Sequence, residues 1–112
     1  RQYAAKQAEQ IIDMQAQEFM DWINSLEAVS TIRALRGQAE RIQDEVLQKG
    51  LSRIKKGDIP EAILLEAVHT LTNKLIHEPS FKLKNASSQN RNDLLKAAEE
   101  LYSLKGKSKK NK

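Results

Sequence analysis

Apolar residues recur at helical spacing from the first residues of the chain. Arg1 to about Leu26 contains neither glycine nor proline, and Ala4, Ala8, Ile11, Ile12, Phe19, Trp22, Ile23 and Leu26 fall within roughly 120° of arc at 100° per residue. A second helix is expected from Ser30, which with Thr31 supplies an N-cap. Ile32, Leu35, Ala39, Ile42 and Val46 follow it at intervals of 3, 4, 3 and 4. That period favours left-handed packing on another helix. Gly50 weakens the far end of this helix and Gly57 closes it. A third helix opens on Asp58, Pro60 and Glu61, with Asp58 as cap, proline in the first turn and glutamate reaching back. Leu64, Ala67, Val68, Leu71 and Leu75 form its stripe, and Pro79 is expected to end it, with Lys74 and His77 beside its terminal carbonyls. After a linker around Asn85–Asn90, a fourth helix carries Leu94, Leu95, Ala98, Leu101, Tyr102 and Leu104. No stretch alternates with period two for long enough to form a strand. The fold class is all-α, a long first helix followed by a small bundle of about three further helices packed at one end of it.

The first stripe is longer than a small domain covers. A 26-residue helix spans about 40 Å, and alone it has little to bury that face against. A partner is therefore expected. The candidate interface residues are Ile11, Gln15, Phe19, Trp22 and Ile23, with Ile32, Leu35, Ala39, Ile42 and Val46 as the facing seam. Phe19 and Trp22 fit a core and an inter-subunit contact equally well. Gln15, polar within the apolar arc, either fixes the register of an assembly or marks where the stripe meets solvent.

Charge and composition narrow the chemistry. The net charge is +4, but the last eight residues, KGKSKKNK, hold five lysines and no acid. The remainder has 14 basic and 15 acidic residues, a net charge of −1. Residues 1–104 thus read as a nearly neutral helical domain, and residues 105–112 as a basic, disordered tail. A nucleic-acid-binding module using the RIKKG turn at residues 53–57 and the lysine tail is the alternative reading. With no cysteine, disulfides, thiolate metal sites and cysteine nucleophiles are excluded. His69 and His77 lie about 12 Å apart along one helix and roughly 80° around it, so they do not share a metal. No glycine spacing cradles a phosphate, and no G-x-S-x-G or triad pattern is present. The chain by itself is expected not to be an enzyme and to bind no metal and no cofactor. No apolar run approaches 18 residues and no signal peptide precedes the first helix, so a soluble, cytoplasmic protein without membrane contact is expected. The absence of an initial methionine suggests a fragment of a longer protein.

Three segments carry a family likeness: F-x-x-W at residues 19–22, VSTIRALR at 29–36 with Ala39-Glu40, and LTNKLIHEP at 71–79 followed by Ser80. With the closing LYSL of residues 101–104, they resemble the C-terminal dimerisation domain of glutamyl-tRNA reductases. The likeness covers residues 1–104, and NKLIHEP is its most specific part; members often have proline where Ser30 stands. It implies a parent enzyme of tetrapyrrole (porphyrin) biosynthesis that reduces glutamyl-tRNA to glutamate 1-semialdehyde with NADPH. The family's catalytic cysteine and histidine and its Rossmann-type cofactor domain have no counterpart in these residues. What the resemblance implies here is architectural. The first helix is the end of a spinal helix, and the domain pairs two subunits into a V-shaped homodimer.

Overall fold

The computed structural model describes residues 1–104, and the lysine-rich tail at 105–112 lies outside them. The described residues form three helices and no strand: α1 (Gln2–Lys55), α2 (Pro60–Ala86) and α3 (Asn92–Leu101). The class is all-α with a long first helix, as the periodicity predicts. Two further helices follow it rather than about three, because the expected second helix is the continuation of the first.

The reason lies in what Glu27–Thr31 lacks. No glycine or proline interrupts the chain before Gly37, so nothing offsets the orphaning of eight backbone groups that a break would cause. Ser30 and Thr31 are interior helical residues, not caps. Gly37 and Gly50 each cost about 1 kcal/mol relative to alanine within a helix, too little to end one this long. A shift in the phase of the apolar pattern, not a break in the backbone, separates the two expected helices.

The chain divides into two compact units, Arg1–Arg41 and Ile42–Lys112, with the boundary inside α1. The first unit is helix alone. None of its residues is buried, and only Ile23, Gly37 and Ala39 are half-buried. At 100° per residue, Ala4 to Leu26 centre on one side, whereas Ile32, Leu35 and Ala39 centre roughly 150° away.

The second unit is a helical hairpin with a third helix on its far end. Residues 42–55 run antiparallel to α2, and Val46 and Ile63 form its small core at 9% and 7% exposure. Gly50 lies over Ile63. Lys74 Nζ reaches Glu45 Oε1 at 3.4 Å, and Arg53 joins Asp58 and Glu66 in an ion-pair group at the turn.

All three helices end in one type of backbone motif. At the end of α1, Gly57 N–H donates to Ile54 O and Asp58 N–H to Arg53 O, with Gly57 at φ 86°. This is the Schellman pattern. Its usual apolar contact between the flanking positions is replaced by the Arg53 Nε to Asp58 Oδ2 bond of 2.8 Å. After α2 the left-handed position is Asn90 (φ 57°), and Arg91 N–H donates to Ala86 O at 2.8 Å. After α3 it is Ser103 (φ 53°), and Leu104 N–H donates to Glu99 O at 2.9 Å.

Asp58 does not cap α2. The capping position is Ile59, extended at φ −65° and ψ 124° as a residue before proline must be, and no side chain caps it. Asp58 stands one residue too early, and its carboxylate is already held by Arg53. Pro60 occupies the first turn, where its missing N–H costs nothing, and Glu61 lies in the same turn.

Pro79 does not end α2, and His77 therefore does not close a helix. The helix runs on to Ala86, with Pro79 inside it and Leu75 O deprived of its usual donor. Packing compensates: α3 lies on the end of α2, where Ala86 is fully buried and Leu83, Leu94, Leu95 and Ala98 are half-buried. At the start of α3, the Arg91 guanidinium hydrogen-bonds both Asp93 oxygens, at 3.0 and 3.1 Å. That bond holds the Asp93 carboxyl below the usual carboxylate range. A depressed carboxyl stabilises above its unfolded pKa, and the contribution fades as pH falls through the folded one.

Two glycines of this unit give opposite expectations. A Cβ on Gly50 would meet Ile63 Cγ2 at 3.7 Å, an ordinary contact, so Gly50→Ala should stabilise by about 0.5–1 kcal/mol. Gly57 has open space but φ 86°, so Gly57→Ala should destabilise by about 1–2 kcal/mol. Thermal melts followed by circular dichroism at 222 nm check both signs.

Candidate association surface

The first unit leaves its large apolar side chains uncovered. Phe19 and Trp22 are 56% and 57% exposed, and Ile11, Ile12, Met14, Met20, Leu26, Val29, Ile32 and Leu35 are exposed as well. So many exposed apolar side chains on one helix are the signature of an interaction site. The two aromatic rings touch, centroids 5.9 Å apart and tilted by 42°, and form one platform on the helix. The alternative of an intramolecular core for Phe19 and Trp22 finds no covering element within this unit.

The expected interface residues fall into three groups. Ile11, Gln15, Phe19, Trp22, Ile32 and Leu35 are exposed on the first unit, with Ile23 and Ala39 half-buried there. Ile42 is half-buried in the second unit. Val46 is covered by α2 of its own chain, so its seam position serves the hairpin. Met20 and Val29 are comparable exposed apolar residues that the sequence reading left out of the candidate set. Val29 was hidden by the expected loop before Ser30. With the helix continuous, its spacing from Leu26 and Ile32 marks it plainly.

Charge is distributed unevenly along the same helix. From Gln7 to Ile32 there are five acids, Glu9, Asp13, Glu18, Asp21 and Glu27, and no base. From Arg33 to Arg41 there are three arginines and one acid, Glu40. Gln17 donates to Asp21 at 2.9 Å, and Ser25 Oγ donates to Trp22 O at 2.8 Å.

Other chemistry has little footing. His69 and His77 are both exposed on α2, and among the described residues no group of three His, Cys, Asp or Glu side chains is placed to hold a metal ion. A cleft of about 100 Å³ beside Val46 and Ile63 is rimmed by Glu45, Glu66, Arg53 and Lys74. It is well below the ~300 Å³ at the small end of ligand sites. In the RIKKG turn Arg53 is engaged by Asp58 and Glu66, leaving Lys55 and Lys56 as its exposed cations. Among the described residues no helix is long and apolar enough to cross a membrane.

Comparison with known proteins identifies the family. The family model described as glutamyl-tRNAGlu reductase, dimerisation domain, matches residues 7–104. A glutamyl-tRNA reductase of Pseudomonas putida strain F1 is 44% identical over 104 residues, which cover 93% of this chain and 24% of the relative. The glutamyl-tRNA reductase of Methylococcus capsulatus is 43% identical over 105 residues, covering 94% of this chain and 25% of the relative. The chain thus spans about a quarter of the length of these curated relatives. No solved structure matches it. Nearly the whole chain is matched, including the uncovered helix, and it belongs to the family of glutamyl-tRNA reductase dimerisation domains.

Proposed function

We propose that this chain is the homodimerisation module of an NADPH-dependent glutamyl-tRNA reductase. The parent enzyme would reduce glutamyl-tRNA to glutamate 1-semialdehyde in tetrapyrrole synthesis, in the cytoplasm. The substrate follows from the name of the relatives, and the cofactor and pathway from the resemblance. Catalysis and NADPH binding fall to parts of the parent other than these residues. The observation that carries the module's role is the exposed apolar residues between Ile11 and Leu35, which no element of their own unit covers. A stable two-fold interface removes on the order of 1,600 Å² from water, and a helix of about 40 residues, roughly 60 Å long, has the surface to supply it.

Sedimentation equilibrium over a wide concentration range tests the proposal. The expected mass is about 25 kDa, twice the 12.7 kDa of the chain. A persistent 12.7 kDa species at high concentration would overturn it. The nucleic-acid alternative is less favoured, because the chain outside the tail is nearly neutral and Arg53 is already paired.

A further inference from the structure

Helix α2 is covered at two places and bare between them. Near its start Ile63 is buried, and Ala67, Thr70 and Leu71 are half-buried. At its end, under α3, Leu83 and Asn85 are half-buried and Ala86 is fully buried. Every residue from 72 to 82 is exposed, and Pro79 stands within that bare stretch.

The proline makes the end of α2 depend on what covers it. It gives Leu75 O no N–H, and its ring crowds that carbonyl, so it opposes helix on both counts. Residues 80–86 follow it, about two turns, and a helix that short does not persist alone in water. Glu78 and Lys82 form an ion pair of 3.9 Å across the proline, but both side chains are exposed and such a pair contributes little. Helix α3 is no more self-sufficient, with 10 residues and no side-chain cap at its start. What sustains both is their contact: Ala86 against Leu94, Leu95 and Ala98, closed at the turn by the 2.8 Å bond from Arg91 N–H to Ala86 O.

We infer that residues 80–101 open as one unit: α3 straps the last turns of α2, and Pro79 is the hinge at which both come away. Releasing α3 removes the cover that offsets the proline, so residues 80–86 lose their helix in the same event. Losing those turns removes the seat of α3. The loss stops at the proline, because the bare stretch before it carries no packing from one covered part to the other. Opening uncovers Leu83, Ala86, Leu94, Leu95 and Ala98, an apolar set that the closed strap keeps from solvent. The device belongs to the second unit and does not depend on the dimerisation proposed above.

Amide hydrogen exchange of the 112-residue chain, read residue by residue by NMR, tests the hinge. Amides of residues 83–86 and 95–101 should share one level of protection, at least about 10-fold below that of residues 67–71. Leu95→Asp puts a carboxylate on the covered side of α3. It should lower the protection of residues 83–86 on the order of 30-fold and leave residues 67–71 within about 2-fold. Adding Pro79→Ala to that variant should return about 5-fold or more of the protection at 83–86 while α3 stays open, because the helix then continues unaided. One uniform level of protection from 67 to 101 in the unmodified chain would overturn the inference. So would a loss in Leu95→Asp that spreads through residues 67–71, or full protection of 83–86 with α3 released. Failure of Pro79→Ala to restore residues 83–86 would show that the proline is not the hinge.

Discussion

Trp22→Asp is expected to weaken self-association by at least about 30-fold, the loss of 2 kcal/mol or more that marks an interface hot spot. Trp22 is 57% exposed, touches Phe19, and has no covering element within its own unit. Its contribution is therefore realised on binding. A carboxylate there must also be desolvated against the partner's apolar surface, which adds to the loss. Sedimentation equilibrium of the variant beside the unmodified chain measures the change. The monomer should keep the hairpin of the second unit, because Trp22 takes no part in that packing. Unchanged association would remove the aromatic platform from the interface.

Ile63→Ala is expected to destabilise the second unit by about 2–3 kcal/mol, the lower part of the range for large-to-alanine changes in a core. The lower part applies because the cleft beside Ile63 is open to solvent and relaxes into the space left. Ile63 is 7% exposed and shares the hairpin core with Val46. With so few buried residues, one truncation removes a large fraction of the available burial. A melting temperature lower by about 10 °C or more follows for a unit of this size. Leu65→Ala, at an exposed position two residues on, should change it by less than about 0.5 kcal/mol in monomeric conditions. Equal losses at the two positions would show that the hairpin is packed through a different face of α2.

The two predictions separate association, proposed for the first unit, from the stability of the second. The first unit exposes its apolar residues in a single helix. The second builds a small core from Val46 and Ile63 and seats α3 on Ala86. Capping is economical throughout: backbone motifs end all three helices, and neither α2 nor α3 has a side-chain cap at its start.

Much of this was legible in the residues alone. Period 3.6 without period 2 is a local property, and it determined the all-α class and the long first helix. Pro60 and Gly57 marked the α1–α2 turn by backbone constraint, and both stand where that constraint requires. The length of the first apolar stripe, more than so small a domain covers, already pointed to a partner. The resemblance in NKLIHEP and its neighbours led to the family that the comparisons show.

Only the tertiary structure decided the rest. Whether Glu27–Thr31 breaks the helix depends on whether a shifted apolar face finds separate cover, and periodicity reports phase without reporting cover. Whether Pro79 ends α2 depends on the contacts beyond it, and the packing of α3 on the last turns carries the helix past a residue that locally opposes it. Asp58 has the character of a cap, but Arg53, five residues earlier, claims it across a turn. Val46 and Ile32 share one heptad pattern, yet one is buried by α2 and the other is exposed. Spacing along a helix determines which side chains share a face; what covers that face depends on residues distant in the chain.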